Sequence, residues 1–167
     1  MRIFGVAGYS GSGKTTLITR LVPEFGSRGL GVSTIKQAHL GFDLDRPGKD
    51  SFKHRSAGAV EVMVASSERW ALLHEHRGRP EPDLDRLLTA MTPVDLVLVE
   101  GFKRHRHPQL EIHRGHIDKP LLCRGDANIV AVASDGQLPP LEVPVLDLGD
   151  LGALADFIAR HAAPLEA

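Results

Sequence analysis

Residues 8–16, GYSGSGKTT, have the composition and spacing of a loop that binds phosphate. The Walker A pattern of nucleotide-binding proteins, G-x-x-x-x-G-K-[ST], is filled by Gly8, Gly13, Lys14 and Thr15. In such loops backbone N–H groups point inward, and the positive end of the following helix adds to their attraction for phosphate. A chance glycine-rich turn is the alternative, but an apolar run before the loop and an amphipathic stretch after it favour phosphate binding.

Each residue type in this loop has a separate chemical role. Gly11 and Gly13 permit backbone conformations that are closed to other residues, so that N–H groups can face the ligand. Lys14 is expected to act on the β- and γ-phosphates as a point charge, and is therefore also a catalytic candidate, while the Thr15 hydroxyl is expected to coordinate Mg²⁺. We predict a nucleotide site formed by Gly8, Ser10, Gly11, Ser12, Gly13, Lys14, Thr15 and Thr16.

A second metal ligand is expected beside the loop, and Glu100 is the main candidate. It ends the most continuous β-rich run of the chain, VDLVLVE at residues 94–100, and ligands of open α/β sheets lie beyond the carboxyl ends of the strands. Mg²⁺ prefers oxygen ligands such as a carboxylate. We therefore predict that Glu100 contributes to the metal site and to catalysis; the alternative is an exposed residue at a strand end.

The segment QAHLGFDLDRPGKD, residues 37–50, shows no clean period and is interpreted as a loop. Asp43 is predicted to contribute to the metal site from this loop, and a solvated turn residue is an equal alternative. Lys36, at the preceding strand end, is predicted either to contact phosphate or to be solvated. His39 and Asp43 together lack the further ligands that a transition-metal site would need.

Asp135 is the candidate for recognition of the base. The N-K-x-D motif of guanine-specific GTPases is absent, but a β-rich run ends at Asp135, whose carboxylate can accept from the amino group of guanine. Strands also end in Asp for reasons of turn formation, which is the alternative. The basic segment KRHRH, residues 103–107, is suited to a polyanionic ligand or an acidic partner, with a solvated loop as the competing interpretation.

The rest of the chain supplies the elements that must position these residues. Strand-like and helix-like stretches alternate, which predicts an α/β fold: a P-loop NTPase with a mostly parallel sheet flanked by helices. We interpret residues 1–167 as a single domain, with an inserted β-hairpin at about residues 60–76. Pro23 is expected to kink or shorten the helix that follows the loop, and Asp50 or Ser51 to cap a short helix.

Composition limits the classes of partner. Lys and Arg total 20 against 21 Asp and Glu, so the net charge of −1 gives no indication of a nucleic-acid or membrane-surface binder. The single cysteine, Cys123, cannot form an internal disulfide. No apolar run approaches the roughly 20 residues that cross a bilayer. We expect a cytoplasmic protein.

Three blocks, in this order and spacing, carry a resemblance to a known family: GYSGSGKTTLI, GFDLDRPGKDSFKHRSAGA and DLVLVEGFK. They resemble the MobB family, molybdopterin-guanine dinucleotide biosynthesis protein B. The resemblance implies a P-loop GTPase-like fold that binds GTP with Mg²⁺ and hydrolyses GTP weakly. One departure is that Gln37 and Leu40 stand where family members often carry further histidines, so that only His39 remains.

The resemblance also implies partners. MobB-like proteins assist the nucleotidyltransferase that joins molybdopterin to GMP, and they are homodimers, which would place the hairpin and Trp70 at a subunit interface. The region around Asp43, Lys49 and Asp50 would close over the nucleotide or face molybdopterin. Two alternatives remain open at this point: an ATP-dependent small-molecule kinase or ligase on the same fold, and a dimeric scaffold in which the nucleotide is only structural.

Overall fold

The computed structural model describes residues 1–38 and 41–165. Its contacts group the chain into two compact units: the larger unit is Met1–Gln37 with Leu88–Ala167, and the smaller unit is Ala38–Leu87. The interpretation of the chain as a single domain stays a prediction. Within the described residues, no helix has both the length and the apolar character needed to cross a membrane.

The strands and helices follow one another much as the alternation of sequence patterns predicts. In chain order they are β1 (Arg2–Ala7), α1 (Lys14–Ser27), β2 (Val32–Lys36), α2 (Asp50–Ser56), β3 (Glu61–Ala65), β4 (Trp70–His74), α3 (Leu84–Thr89), β5 (Leu96–Glu100), β6 (Gln109–His113), β7 (Ile129–Ser134), β8 (Val145–Asp147), α4 (Leu151–His161) and β9 (Ala163–Pro164). A short 3-10 helix covers Leu122–Arg124. The two short elements that the sequence patterns do not predict are this helix and β9.

A mostly parallel sheet forms the centre of the larger unit. Its strand order is β2-β5-β1-β6-β7-β8; these strands pair in parallel, and β9 pairs antiparallel with β1. The helices that flank it confirm the predicted α/β class. Residues Leu96–Val99 of β5 are all buried, which explains why this strand appears in the sequence as an unbroken apolar run.

The pairing brings the ends of several strands to one edge of the sheet. Val6 of β1 pairs with Glu100 of β5 on one side and with Leu110 of β6 on the other, while Lys36 of β2 also pairs with Glu100. Because parallel strands share a direction, β1, β2, β5, β6 and β7 all end at this edge, and the segments that follow them start there. All the predicted site residues of the larger unit lie in or next to these loops.

Helix α1 packs against the sheet together with α4. The shared core contains the buried side chains of Phe4, Leu17, Leu21, Phe25, Leu98, Leu110, Leu154 and Ile158. Each such side chain contributes about 1.5–3 kcal/mol by leaving water. This packing keeps α1 intact beyond Pro23. The predicted shortening does not occur: the helix continues to Ser27, with Pro23 on its exposed side and Phe25 fully buried beyond it.

The smaller unit contains α2 and the predicted hairpin. Strands β3 and β4 pair antiparallel, with Ala65 opposite Trp70, so the hairpin prediction is confirmed. The capping prediction for α2 is wrong: the helix begins at Asp50, and its N-cap residue is Lys49, which makes no side-chain capping hydrogen bond. Arg55 ties the unit together: its guanidinium contacts the carboxylates of Asp43 and Glu75.

A buried carboxylate holds the segment that follows β6. Glu111 is fully buried, and its two oxygens accept hydrogen bonds from the backbone N–H groups of Leu122 and Cys123, both at 2.9 Å. Leaving these buried groups unpaired would cost about 1–3 kcal/mol each. Glu111 therefore has a structural role, which fixes the 3-10 helix against the sheet.

The short strand β9 holds the beginning of β1. Ala163 pairs with Ile3 and Pro164 with Arg2. The Arg2 guanidinium also donates from Nε and Nη2 to the carbonyl of Ala162, at 3.1 and 2.8 Å. The strand that leads into the phosphate loop is thus fixed by residues at the other end of the described chain.

Candidate functional site

The predicted phosphate loop lies between β1 and α1, at the carboxyl edge of the sheet. Gly13 is the N-cap of α1 and has a left-handed backbone with φ +98°, a conformation that favours glycine. At Gly8 a Cβ would lie 2.5 Å from Ser12 Oγ and 2.8 Å from the Ile112 carbonyl oxygen, so no side chain fits there. The loop is therefore closed to larger residues at both positions where the Walker A pattern requires glycine.

Ser12 is enclosed by this loop. Its side chain is 1% exposed, and its hydroxyl has no hydrogen-bond partner among the described residues. Ser10 is exposed at the outer turn, and Thr16 is exposed in the first turn of α1. A buried hydroxyl without a protein partner fits a loop that receives an oxygen-rich ligand.

Lys14 extends over the loop from the first position of α1. Its Nζ donates to the carbonyl oxygens of Gly8 and Tyr9, both at 2.9 Å. Burial lowers the pKa of Lys14, while the nearby Glu100 carboxylate opposes this shift. The ammonium is thus held above the backbone that would surround a phosphate.

Glu100 lies beside Thr15, as the sequence predicts. Thr15 Oγ1 is 3.4 Å from Glu100 Oε2, and Lys36 Nζ is 3.4 Å from Glu100 Oε1. The Glu100 side chain is only 14% exposed. The larger unit therefore brings Lys14, Thr15, Lys36 and Glu100 together, and Lys36 is engaged with Glu100.

The oxygen pair of Thr15 and Glu100 fits Mg²⁺. This ion is usually held by one or two protein oxygens, with phosphates and water completing its octahedron. No cluster of three or more His, Cys, Asp or Glu side chains suited to a metal occurs within residues 1–38 and 41–165.

Asp43 belongs to the smaller unit. Both of its carboxylate oxygens accept hydrogen bonds from Arg55 Nη2, at 3.0 and 2.8 Å, and these bonds lower the pKa of Asp43. Its contribution to a metal site stays a prediction. His39, the remaining histidine of the segment after β2, lies outside the described residues.

Asp135 directly follows β7, and its carboxylate has two donors. Arg114 Nη1 lies 2.9 Å from Oδ2, and the Gly115 N–H donates to Oδ1 at 3.2 Å. The Gly115 hydrogen bond, together with Arg114, lowers the pKa of Asp135. The carboxylate borders a cavity of about 240 Å³, called here the Asp135 cavity, with Gly13, Thr16, Arg20, Arg114 and Gly149 among its lining residues.

Arg114 is the site residue that sequence reasoning missed. Its Nε donates to the Ser12 carbonyl at 2.9 Å while Nη1 contacts Asp135. The sequence gives one signal for it: Arg114 comes directly after β6, and β6 neighbours β1 at the same carboxyl edge.

The segment that follows Glu100 is only partly solvated, whereas one of the two interpretations of its sequence was a solvated basic loop. Phe102 is buried with a positive φ of 54°, and its N–H donates to Gln37 Oε1 at 2.8 Å. His107 is 4% exposed, and burial lowers its pKa to about 4. Lys103 and Arg104 are exposed, so only part of the segment is available to an anionic partner.

Comparison with known proteins agrees with this geometry. The family model of molybdopterin guanine dinucleotide synthesis protein B, MobB, matches residues 3–135. The chain is 42% identical over 163 residues to the molybdopterin-guanine dinucleotide biosynthesis adapter protein of Escherichia coli K12, covering 95% of this chain and 91% of that protein. It is also 42% identical to the adapter protein of the same name from Haemophilus influenzae, covering 93% of this chain and 86% of that one.

Solved structures give the same result for the fold. The crystal structure of a MobB homologue from Bacillus stearothermophilus aligns with a TM-score of 0.71 and 30% identity, covering 96% of this chain and 97% of that one. The family match extends from the first strand through the phosphate loop, Glu100 and Asp135. On these grounds, this chain belongs to the MobB family.

Proposed function

We propose that the protein is a GTP-binding adapter of molybdopterin-guanine dinucleotide biosynthesis with weak GTPase activity. The observation that carries this proposal is the phosphate loop with Lys14 above it and the Thr15–Glu100 pair beside it. The adapter role follows from the names of the relatives that match almost the whole chain.

The triphosphate would lie within the loop formed by residues 8–13. Backbone N–H groups and the N-terminus of α1, a helix of 14 residues, favour negative charge there. Lys14 would turn from the carbonyls of Gly8 and Tyr9 to the β- and γ-phosphates, which are stronger acceptors because they are charged. Thr15 and Glu100 would hold Mg²⁺, and the bound ion would neutralise charge on the phosphates.

Weak hydrolysis is consistent with the groups that surround Glu100. This carboxylate is flanked by Lys36 and Thr15, an arrangement suited to holding an ion or its water shell. Neither an arginine finger nor a water-orienting glutamine is identifiable from the sequence patterns. We propose that turnover is slow and comes from charge stabilisation by Lys14 and the metal.

The partners are proposed to be a molybdopterin nucleotidyltransferase and a second copy of the chain, with molybdopterin as a possible further ligand and the cytoplasm as the compartment. The hairpin supports the homodimer, because one face of it carries the exposed side chains of Met63, Trp70 and Leu72. Monomeric soluble proteins rarely leave such apolar groups clustered in water. The net charge of −1 gives no support for a nucleic-acid partner.

Calorimetric titration with GTP and with ATP, each in the presence of Mg²⁺, tests this proposal. GTP is expected to bind more tightly than ATP, and Lys14→Ala is expected to lose roughly 100-fold or more in GTP affinity, since charge-assisted contacts are worth about 1.5–3 kcal/mol each. Lys119→Ala, at an exposed lysine outside the loop, is the matched control. A preference for ATP would favour a kinase or ligase and contradict the proposal.

A further inference from the structure

Arg114 contacts both the phosphate loop and the carboxylate expected to read the base. Its Nε donates to the Ser12 carbonyl at 2.9 Å, and its Nη1 lies 2.9 Å from Asp135 Oδ2. We propose that Arg114 is a positioning residue that couples purine recognition at Asp135 to the phosphate loop, an inference that rests on the proposed function as a GTP-binding protein.

The first step of the argument concerns the backbone of the loop. The peptide bond between Ser12 and Gly13 is trans, so its C=O and N–H point in opposite directions. Since the Ser12 carbonyl is held by Arg114, the Gly13 N–H must face the other side of the loop, away from the guanidinium. Arg114 therefore fixes the direction of a backbone donor that is available to phosphate.

The second step concerns Asp135. Each of its carboxylate oxygens already accepts one hydrogen bond, from Gly115 and from Arg114, which fixes the plane of the group. An ionised carboxylate has about four acceptor positions, so about two remain. Guanine presents the donors N1–H and N2–H at one edge, which suit these positions. Adenine presents an acceptor at N1, which a carboxylate repels.

The third step concerns the space between the two contacts. The Asp135 cavity extends from Gly13 and Thr16 to Asp135 and Gly149. Its volume of about 240 Å³ is below the roughly 300–1,000 Å³ of sites for drug-sized ligands, and so suits one fragment of a ligand such as a purine ring. The Arg114 guanidinium forms part of its wall, directly against the Gly13 backbone.

The fourth step concerns the choice of arginine. The planar guanidinium offers donors in a fixed geometry, so one side chain can serve the Ser12 carbonyl and the Asp135 carboxylate at once. A lysine has a single nitrogen on a flexible stem and cannot make both contacts with the same geometry. Arg114→Lys therefore retains the positive charge but cannot hold the Ser12 carbonyl and the Asp135 carboxylate at the same time. This makes it the informative variant.

The experiment measures binding of Mg-GTP, Mg-ATP and inorganic tripolyphosphate with Mg²⁺ to the wild type, Arg114→Lys, Asp135→Ala and the double variant. We expect Arg114→Lys to reduce the ratio of GTP to ATP affinity roughly tenfold, as expected for one disturbed hydrogen bond to a charged group. Tripolyphosphate affinity should fall by a smaller factor. In the double variant the loss of GTP preference should be less than the product of the two single losses.

Several outcomes would overturn the coupling. A variant with a merely structural defect would weaken all three ligands equally and leave the GTP to ATP ratio unchanged. Additive effects in the double variant would show that Arg114 and Asp135 act independently. If the wild type does not bind GTP, the proposed function fails first, and that result is separate from the comparison of variants. The exposed Arg124, changed to Lys, is the matched control and should behave as the wild type.

Discussion

Two carboxylates lie at the carboxyl edge of the sheet, Glu100 at the end of β5 and Asp135 directly after β7. They differ in burial and in the length of their contacts. Each forms an ion pair with a basic side chain: Lys36 pairs with Glu100 and Arg114 pairs with Asp135. The Glu100 contacts are long, 3.4 Å to both Lys36 and Thr15, although its side chain is only 14% exposed. The Asp135 contacts are short, 2.9 and 3.2 Å, although its side chain is 39% exposed.

The difference indicates what each group can do. A carboxylate held loosely by long contacts can exchange its neighbours for a metal ion at little cost. A carboxylate held by two short hydrogen bonds keeps its orientation, which suits recognition of a base edge. On the proposed function, the larger unit would therefore separate a side for charge neutralisation, around Glu100, from a side for shape and hydrogen-bond recognition, around Asp135.

Acid is expected to lower the stability of the fold first through His107, in the segment that follows Glu100. The folded pKa of His107 is about 4, below its ordinary value near 6.5, so below pH 6.5 the unfolded chain binds a proton that the folded chain does not. Stability should fall by about 3 kcal/mol as the pH drops from 6.5 to 4. Asp135, whose pKa is lowered, stays ionised through this range and loses its stabilising contribution only at lower pH.

Urea unfolding between pH 7 and pH 4 measures this effect. His107→Asn, which retains a donor near the position of Nδ1, should remove most of the decline, while the exposed His116→Asn should leave it unchanged. An unaltered pH profile in His107→Asn would place the acid sensitivity elsewhere.

Glu100→Gln is expected to weaken binding through Mg²⁺ without changing the discrimination between GTP and ATP. The amide has nearly the same shape but no charge, so GTP affinity in Mg²⁺ should fall by about 2 kcal/mol, roughly thirtyfold. In EDTA the variant and the wild type should bind GTP about equally, and the GTP to ATP ratio should not change. Calorimetry in both buffers is the measurement, and a loss of equal size in EDTA would mean that Glu100 does not act through the metal.

Asp135→Asn is expected to have the complementary effect. The carboxamide places a donor where the carboxylate has an acceptor, so GTP affinity should fall roughly tenfold. Xanthosine triphosphate, which carries a carbonyl in place of the guanine amino group, should gain affinity by a similar factor. Competition binding with the two nucleotides measures the change, and equal losses for both would argue that Asp135 does not contact the base.

Lys36→Met should produce the smallest effect. Its ammonium is 60% exposed and 3.4 Å from Glu100, and such exposed pairs contribute less than about 1 kcal/mol to stability. Removal of the competing cation should strengthen Mg²⁺ binding with GTP slightly, by about twofold to threefold. A large loss of GTP affinity would instead support direct contact between Lys36 and phosphate, which was the other prediction for this residue.

The phosphate loop and the sheet could be predicted because their signals are local. Glycine at positions 8 and 13, followed by Lys14 and Thr15, marks the loop, and the apolar run of β5 marks a strand that is buried on both faces. The proximity of Thr15 and Glu100 follows from these two signals once β1 and β5 lie as parallel neighbours in the sheet.

Other features depend on contacts that no local pattern contains. Pro23 does not shorten α1 because Phe25 is anchored in a core shared with α4, more than a hundred residues later in the chain. Arg114 looks like one basic residue among several until the pairing of β6 with β1 places it beside Ser12. His107 belongs to a basic stretch in the sequence, yet the fold buries it next to Gly5.

The position of β1 has a consequence for the order in which the protein can assemble during synthesis. This strand precedes its neighbours β5, β6 and β9 in the chain, and the nearest of them follows after about 90 residues. At about 5–20 residues per second the ribosome takes roughly 5 to 20 s to provide that neighbour. During this time β1 lacks the strands that will pair with it, and an unpaired apolar strand in a nascent chain is prone to aggregation. A bound nucleotide can therefore stabilise the fold only after the neighbouring strands have paired with β1.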